Sequence, residues 1–173
     1  MQQYQRILTS INLLIENSKE MQNNIDKSKR SPISIGEEFC TIKVCTARQT
    51  GHSLAIAHFL LNRTNEYWAI ISPTIRMGDH NMEIINDNSF ITVNGKISCT
   101  ISARSKNKIE FYNGGSIVNI SQHCLDTELR GRHFNGIIID NVSIMCKKSI
   151  DEIYNIGQAC MAKNRYMYFI FIE

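Results

Sequence analysis

The sequence predicts a three-layer α/β fold in which helices cover both faces of a mainly parallel central sheet. Short apolar runs of strand length alternate along the chain with segments of helical periodicity, which is typical of parallel strands joined by right-handed crossovers. Several of these runs are apolar at nearly every position, as expected for strands buried on both faces. At 173 residues, the chain is long enough for one domain with its own core.

The composition is that of an ordinary globular protein, with 43% hydrophobic and 20% charged residues. The net charge of +3, without a long block of Lys or Arg, gives little support to a dedicated nucleic-acid binder. No apolar run approaches the ~20 residues that span a bilayer, and the N-terminus lacks the order of a signal peptide. The six cysteines are scattered without a CxxC pair, so we expect free, mostly buried thiols and no zinc site.

The N-terminal segment has the apolar spacing of an amphipathic helix, with a stripe formed by Tyr4, Ile7, Leu8, Ile11, Leu14 and Ile15. Residues 18–35 are polar and contain Pro32, which predicts a helix tail that runs into a loop. We therefore divide the single predicted domain, residues 1–173, into an N-terminal helix and linker (1–35) and a core (36–173).

The first half of the core alternates between strands and helices. We predict strands at 41–45 and 67–72, a buried helix at 54–62 and a further helix at 76–85. The region between residues 90 and 120 is different, because it contains four short strand-like runs separated by Asn94-Gly95 and Asn113-Gly114-Gly115. Asn-Gly between apolar runs is a strong hairpin signal, so we expect a β-hairpin insertion here.

The C-terminal part predicts two buried strands around a helix. Residues 136–140 form an apolar run that ends in Asp140, and residues 166–172 form a second run. Between them, residues 149–163 have helical periodicity, with Ser149 and Glu152 as a predicted capping box.

Two predicted strand ends carry polar residues, and ligands bind at the carboxyl ends of strands in open parallel sheets. Residues 47–53 follow the first strand, and Asp140-Asn141 follow a later one. A phosphate-binding loop would use backbone N–H groups at the helix start, and Ser53 with Asp140 would hold Mg²⁺. The pattern GxxxxGK[ST] fails at Thr46 and His52, so by this pattern alone an ordinary strand-to-helix turn remains open.

Further motifs resemble one family. Tyr4-Gln5-Arg6 before an apolar helix, the loop Ala47–Ser53, the segment Ile109–Ile117, Leu129-Arg130-Gly131 and the run Ile137–Asn141 occur in this order. The chain thereby resembles the ATPase domain of the large terminase subunit, the DNA-packaging motor of tailed phages. That family has a YQ element, a variant Walker A loop of the type [SA]RQxGK[ST], an I-x-F-x-N-G-S-x-I hairpin, an RG element and a Walker B strand. The resemblance implies a P-loop NTPase fold.

The resemblance also implies roles for individual residues. Tyr4 and Gln5 would contact adenine, and the phosphate loop would be formed by Arg48, Gln49, Thr50, Gly51, His52 and Ser53. Mg²⁺ would be held by Ser53 and Asp140, and the catalytic positions would be Asp140, Asn141, Arg48 and Arg130. The implied ligands are Mg²⁺ with ATP or ADP. For Arg48 and Arg130, a surface position beside a loop remains an equal alternative.

The sequence departs from the family at positions that matter for hydrolysis. His52 stands where the family has lysine, and Asn141 stands where it has the catalytic glutamate, which an amide cannot replace as a base. Phe171-Ile172-Glu173 stands where a threonine motif couples hydrolysis to motion, and we expect no nuclease domain within residues 1–173. These departures predict impaired catalysis, because electrostatic stabilisation is a large part of phosphoryl transfer.

Three functions follow as hypotheses. The first is a catalytically impaired terminase-like domain that acts by binding a nucleotide, a protein partner or both, in phage DNA packaging or host takeover. The second is a slow but genuine Mg-ATPase or DNA-dependent NTPase. The third is a nucleic-acid-binding protein that reuses the scaffold through basic residues at Arg104, Lys106, Lys108, Arg130 and Arg132. We expect DNA or a phage or host protein as partner, an oligomer as an open alternative, no membrane association, and the cytoplasm of the infected host cell as the location.

Overall fold

A computed structural model of the chain describes residues 2–46, 51–93, 96–129, 132–161 and 166–173. Within these ranges, the side chains of residues 91–93, 96, 97, 126, 147–149 and 158–161 are not described. The predicted loop residues Arg48, Gln49 and Thr50, together with Arg130, lie outside the described residues.

The described chain forms six α-helices and nine β-strands. The helices are α1 (Gln3–Asn24), α2 (Pro32–Phe39), α3 (His52–Leu61), α4 (Ile75–Asp87), α5 (Leu125–Glu128) and α6 (Lys147–Met161). The strands are β1 (Thr41–Val44), β2 (Tyr67–Ser72), β3 (Phe90–Val93), β4 (Lys96–Cys99), β5 (Ile101–Arg104), β6 (Lys108–Phe111), β7 (Ser116–Ser121), β8 (Gly136–Asp140) and β9 (Tyr168–Ile172). None of the helices in these ranges is both long and apolar enough to cross a membrane.

Seven strands form the central sheet in the order β1-β9-β8-β2-β7-β6-β5, while β3 and β4 form a separate antiparallel hairpin. The five strands from β1 to β7 in this order are parallel, and β6 and β5 extend the sheet in antiparallel pairing. Every residue of β7, β8 and β9 is buried. The predicted mainly parallel sheet is therefore confirmed, and burial on both faces explains why its strands are almost continuously apolar.

Helices cover both faces of this sheet and produce two hydrophobic cores. On one face, α1 contributes Ile7, Ile11 and Ile15, and α3 and α4 pack beside it over Ile70, Ile138 and Ile170. On the other face, α2, α5 and α6 cover Ile71, Ile139, Phe169 and their neighbours. The three-layer arrangement is thus confirmed, and α1 belongs to the core because its apolar stripe lies on the sheet.

Four details differ from the sequence prediction. Residues 32–39 form helix α2 instead of a loop, because Ser31 caps the helix and Pro32 occupies its first turn, where a missing N–H costs nothing. Helix α6 starts at Lys147, so Ser149 lies inside it and the predicted capping box is wrong. The insertion is confined to β3 and β4, since β5, β6 and β7 belong to the central sheet. Among the cysteines with described side chains, Cys40 is buried and the other four are exposed, so the prediction of mostly buried thiols is wrong.

Candidate functional site

The carboxyl ends of the parallel strands meet at one edge of the sheet, and Asp140 lies there as the last residue of β8. Its Cα is in register with Ile172 of β9, and the preceding Ile139 is in register with Ile71 of β2. Asp140 is therefore flanked by strands on both sides, and its residue exposure is only 2%. A carboxylate at such a depth requires compensating polar contacts.

One carboxylate oxygen of Asp140 has a hydrogen bond and the other has none. Asn81 of α4 donates from Nδ2 to Oδ2 over 2.8 Å. The buried Oδ1 has no hydrogen-bond partner among the described residues, and His52 Nε2 lies 3.6 Å from it. Asp140 thus presents one free, buried, negatively charged oxygen toward the start of α3.

Helix α3 begins directly after Gly51, whose backbone conformation is unusual. Gly51 is the N-cap residue and adopts a left-handed conformation with φ of 78°, which glycine enters without steric cost. His52 and Ser53 follow in the first turn, both half-buried. The unpaired N–H groups of this turn and the helix dipole favour an anion here. Helix α3 thus begins at His52, two residues before the start predicted from the sequence at residue 54.

Tyr4 of α1 lies beside this junction. Its ring stacks on His58 of α3 with centroids 5.2 Å apart and an interplanar angle of 17°. A Cβ added to Gly51 would lie 3.3 Å from the Tyr4 Cβ, so the helix and the glycine approach each other closely. Gln5 is exposed, and its Oε1 accepts a hydrogen bond from the Gln2 backbone N–H at 3.1 Å. Tyr4 therefore lies beside Gly51, whereas the side-chain oxygen of Gln5 caps the start of its own helix.

Asn141 follows Asp140 directly and has an unusual backbone. Its φ and ψ are 53° and 56°, the left-handed region in which Asn is tolerated better than most residues. Thr46, at the position of the missing glycine, donates from its hydroxyl to the Glu173 carbonyl at 2.8 Å. The Thr46 hydrogen bond therefore joins the end of β1 to the end of β9.

Three basic residues of the third hypothesis, Arg104, Lys106 and Lys108, lie together in the β5–β6 hairpin. Lys108 pairs with Glu110, and Arg132 pairs with Glu128 at 3.2 Å. Arg104 and Lys106 are exposed near the antiparallel edge of the sheet. Neither of these two ion pairs involves Asp140.

Sequence reasoning missed Asn81, the residue that holds Asp140. The buried residues of α4 are Gly78, Asn81, Met82 and Ile85, which have the i, i+3, i+4, i+7 spacing of an inward-facing stripe. An asparagine within such a stripe requires a buried partner, and this was the available signal. Ser72 Oγ, Asn81 Oδ1 and Asn119 Oδ1 are also buried without a partner among the described residues.

The residues present fit a divalent cation held jointly with phosphate. Asp140 supplies a free carboxylate oxygen, and Ser53 supplies a hydroxyl at the start of α3. Mg²⁺ prefers oxygen ligands and commonly binds through one or two protein groups plus substrate phosphates. The described residues contain no group of three His, Cys, Asp or Glu side chains that could hold a metal by themselves.

Comparison with known proteins supports the three-layer α/β fold described above. No protein-family model and no curated protein matches the chain. Among solved structures, the large terminase of a thermophilic bacteriophage is similar with a TM-score of 0.55 and 12% identity, over 83% of this chain and 35% of that chain. The large terminase ATPase domain of Thermus phage P74-26 is similar with a TM-score of 0.50 and 13% identity, over 82% and 63%.

The chain thus covers less than two thirds of either protein, and at this identity the likeness concerns the fold. The sheet order, the loop–helix junction at Gly51 and the buried acid at the end of β8 are all consistent with it. The protein has the terminase-like P-loop fold of phage large terminase ATPase domains.

Proposed function

We propose that the protein binds ATP or ADP with a divalent cation at the carboxyl edge of its sheet and hydrolyses ATP weakly or not at all. It would act through the nucleotide-bound state on a protein partner, in phage DNA packaging or host takeover. The observation that carries this proposal is the buried carboxylate of Asp140, whose Oδ1 has no hydrogen-bond partner in the described chain and faces the first turn of α3.

The nucleotide would be held mainly by backbone and by α1. Gly51 and the N–H groups that open α3 supply an anion site, and the left-handed glycine gives phosphate close access to the backbone. Tyr4, stacked on His58 beside Gly51, is an aromatic surface at the correct end of α1 for a base. Gln49, Thr50 and Arg48 remain proposed loop contacts, and Arg130 remains a proposed cation for the phosphates.

The cation would be held by Asp140 and Ser53, and when bound it would neutralise phosphate charge. Weak hydrolysis is proposed because two of the chain's own groups are unsuited to it. His52 has a shorter side chain than lysine and does not carry a permanent charge near pH 7. Asn141 can orient a water molecule through its amide but cannot accept the proton of that water.

Calorimetric titration with Mg²⁺–ATP and with ADP, with phosphate release followed on the same samples, tests this function. We expect binding of both nucleotides with little or no phosphate release. Turnover that rises on addition of DNA would instead support the slow NTPase. Absence of nucleotide binding, combined with salt-dependent DNA binding, would overturn the proposal in favour of a scaffold reused for nucleic acid.

Asp140→Asn provides the matched variant for this experiment. Removing the carboxylate charge should weaken Mg²⁺-dependent ADP binding by ~10-fold or more, because a cation ligand is lost. Asp87→Asn is the control, since Asp87 is an exposed aspartate at the end of α4. Equal ADP affinity in both variants would contradict the assignment of Asp140.

A further inference from the structure

The pair formed by His52 and Asp140 has a separation that a hydrogen bond does not explain. Nε2 and Oδ1 are 3.6 Å apart, whereas N–H···O hydrogen bonds span about 2.7–3.2 Å. A water that bridges two atoms through two ~2.8 Å hydrogen bonds at a tetrahedral angle would place them ~4.5 Å apart. The observed distance is that of an ion pair, in which nitrogen and oxygen lie up to about 4 Å apart.

A metal ion shared by the two atoms would hold them at a similar distance. Metal bonds to imidazole nitrogen and carboxylate oxygen are about 2.0–2.2 Å, so a tetrahedral angle between them separates the atoms by ~3.4 Å. The separation of 3.6 Å therefore admits such an ion without a large movement of either side chain. Asp140 Oδ1 has no hydrogen-bond partner in the described chain, and the two side chains are 3% and 24% exposed.

We infer that His52 is itself a ligand of the cation that accompanies the nucleotide, and that the site therefore selects a transition-metal ion over Mg²⁺. A protonated lysine ammonium has no free lone pair for a metal, whereas neutral imidazole has one. Imidazole nitrogen favours transition metals, whereas Mg²⁺ favours oxygen ligands. Histidine at this position thus changes a charge contact to phosphate into a bond to the cation.

This inference rests on the proposed function, because the described chain alone does not supply a complete ligand set. No group of three His, Cys, Asp or Glu side chains occurs within the described ranges. In this arrangement His52 and Asp140 supply two ligands, and nucleotide phosphates supply the others. The cation and the nucleotide should consequently bind together.

Pulsed electron paramagnetic resonance of the full chain with Mn²⁺ and ADP tests the inference directly. A directly bound imidazole nitrogen produces a ¹⁴N modulation in the Mn²⁺ signal, and we expect this modulation in the unmodified protein. It should disappear in His52→Lys, which retains a side chain able to contact phosphate. It should remain in His123→Gln, because His123 is an exposed histidine outside the site.

Calorimetry on the same proteins gives the second readout. We expect ADP to bind about 10-fold more tightly with Mn²⁺ than with Mg²⁺, and this preference should fall to within about 2-fold in His52→Lys. If ADP binds without ¹⁴N modulation and without metal preference, the histidine ligand is disproved while the nucleotide site stands. If ADP does not bind with either metal, the proposed function fails and the inference fails with it.

Discussion

Asp140 is a buried carboxylate with few polar contacts. The free energy that these contacts contribute is therefore small compared with the cost of burying the charge. The carboxylate is 2% exposed, and Asn81 donates the hydrogen bond recorded for it in the described chain. Burying a charge with few compensating contacts costs free energy, and groups that are kept in such a state commonly serve function. Asp140 should therefore behave as part of a binding site, and its replacement should not unfold the protein.

Asp140→Asn tests that distinction through stability. The substitution keeps the side-chain shape and removes the buried charge, so the free energy of unfolding should stay within about 1 kcal/mol of the original or increase. Chemical denaturation in the absence of nucleotide measures this change. A loss of about 3 kcal/mol or more would show instead that the carboxylate is a structural group.

Substitutions at His52 and Asn141 are expected to increase ATP hydrolysis. His52→Lys combined with Asn141→Glu should raise phosphate release above that of the unmodified protein, because a fixed charge and a general base are both supplied. Asn141 has φ of 53°, so glutamate there should cost about 1 kcal/mol of stability. Phosphate release and denaturation on the same samples measure both effects.

The control for this pair is His52→Lys combined with Asn141→Gly. Glycine adopts the left-handed conformation readily, so the strain is removed while no base is supplied. Phosphate release should therefore stay below that of the glutamate variant. Equal release from both double variants would mean that position 141 does not provide a base.

Most strands and helices could be predicted from the sequence, but the pairing of the strands in the sheet could not. Strand β8 and helix α3 are apolar at most positions, so their existence and their burial followed from pattern alone. Helix α2 was missed because it has only eight residues and follows a polar segment, where propensity gives a weak signal. The pairing of β7 with β2 depends on contacts distant in sequence, which hairpin signals near Gly114 could not reveal.

The sequence predicted only those residues of the candidate site that follow the ends of strands. Gly51, Ser53 and Asp140 could be placed because strand ends of a parallel sheet share one edge. Asn81 reaches that edge from α4, and the hydrogen bond to Asp140 joins residues 59 positions apart. Such a contact depends on how α4 packs on β2 and β7, and no local pattern specifies it.

Helix α4 positions Asn81, and its N-cap is therefore a useful place to test the element. Thr74 accepts a hydrogen bond from the Met77 backbone N–H at 3.3 Å. Thr74→Ala should lower the free energy of unfolding by about 1 kcal/mol because that N–H loses its partner. Thr9→Ala is the control, since Thr9 is exposed inside α1, where alanine is a better helix former. Chemical denaturation should separate the two variants, and equal stabilities would contradict the capping role.

For the whole molecule, stability depends on groups that must stay neutral where helices pack on the sheet. Burial raises the pKa of the Cys40 thiol from its ordinary value of 9.0 to about 12. Burial, together with the negative charges of Glu16 and Glu66, raises the pKa of the Tyr168 hydroxyl from 10.0 to about 12. Cys40 precedes β1 and Tyr168 begins β9, so both groups lie in the cores formed by α1 and α2 with the sheet.

These two groups predict a loss of stability in alkali with a definite order. As pH rises above about 9, Cys40 ionises first in the unfolded chain and stays protonated in the folded one; Tyr168 behaves likewise above about 10. The unfolded state then binds fewer protons, so the free energy of unfolding should fall until about pH 12. Denaturation at fixed pH steps measures this fall. Cys40→Ala should reduce the fall in the free energy of unfolding from about pH 9, and Tyr168→Phe should reduce it only from about pH 10. If the two variants give the same dependence on pH, burial of these groups is not the cause of the fall.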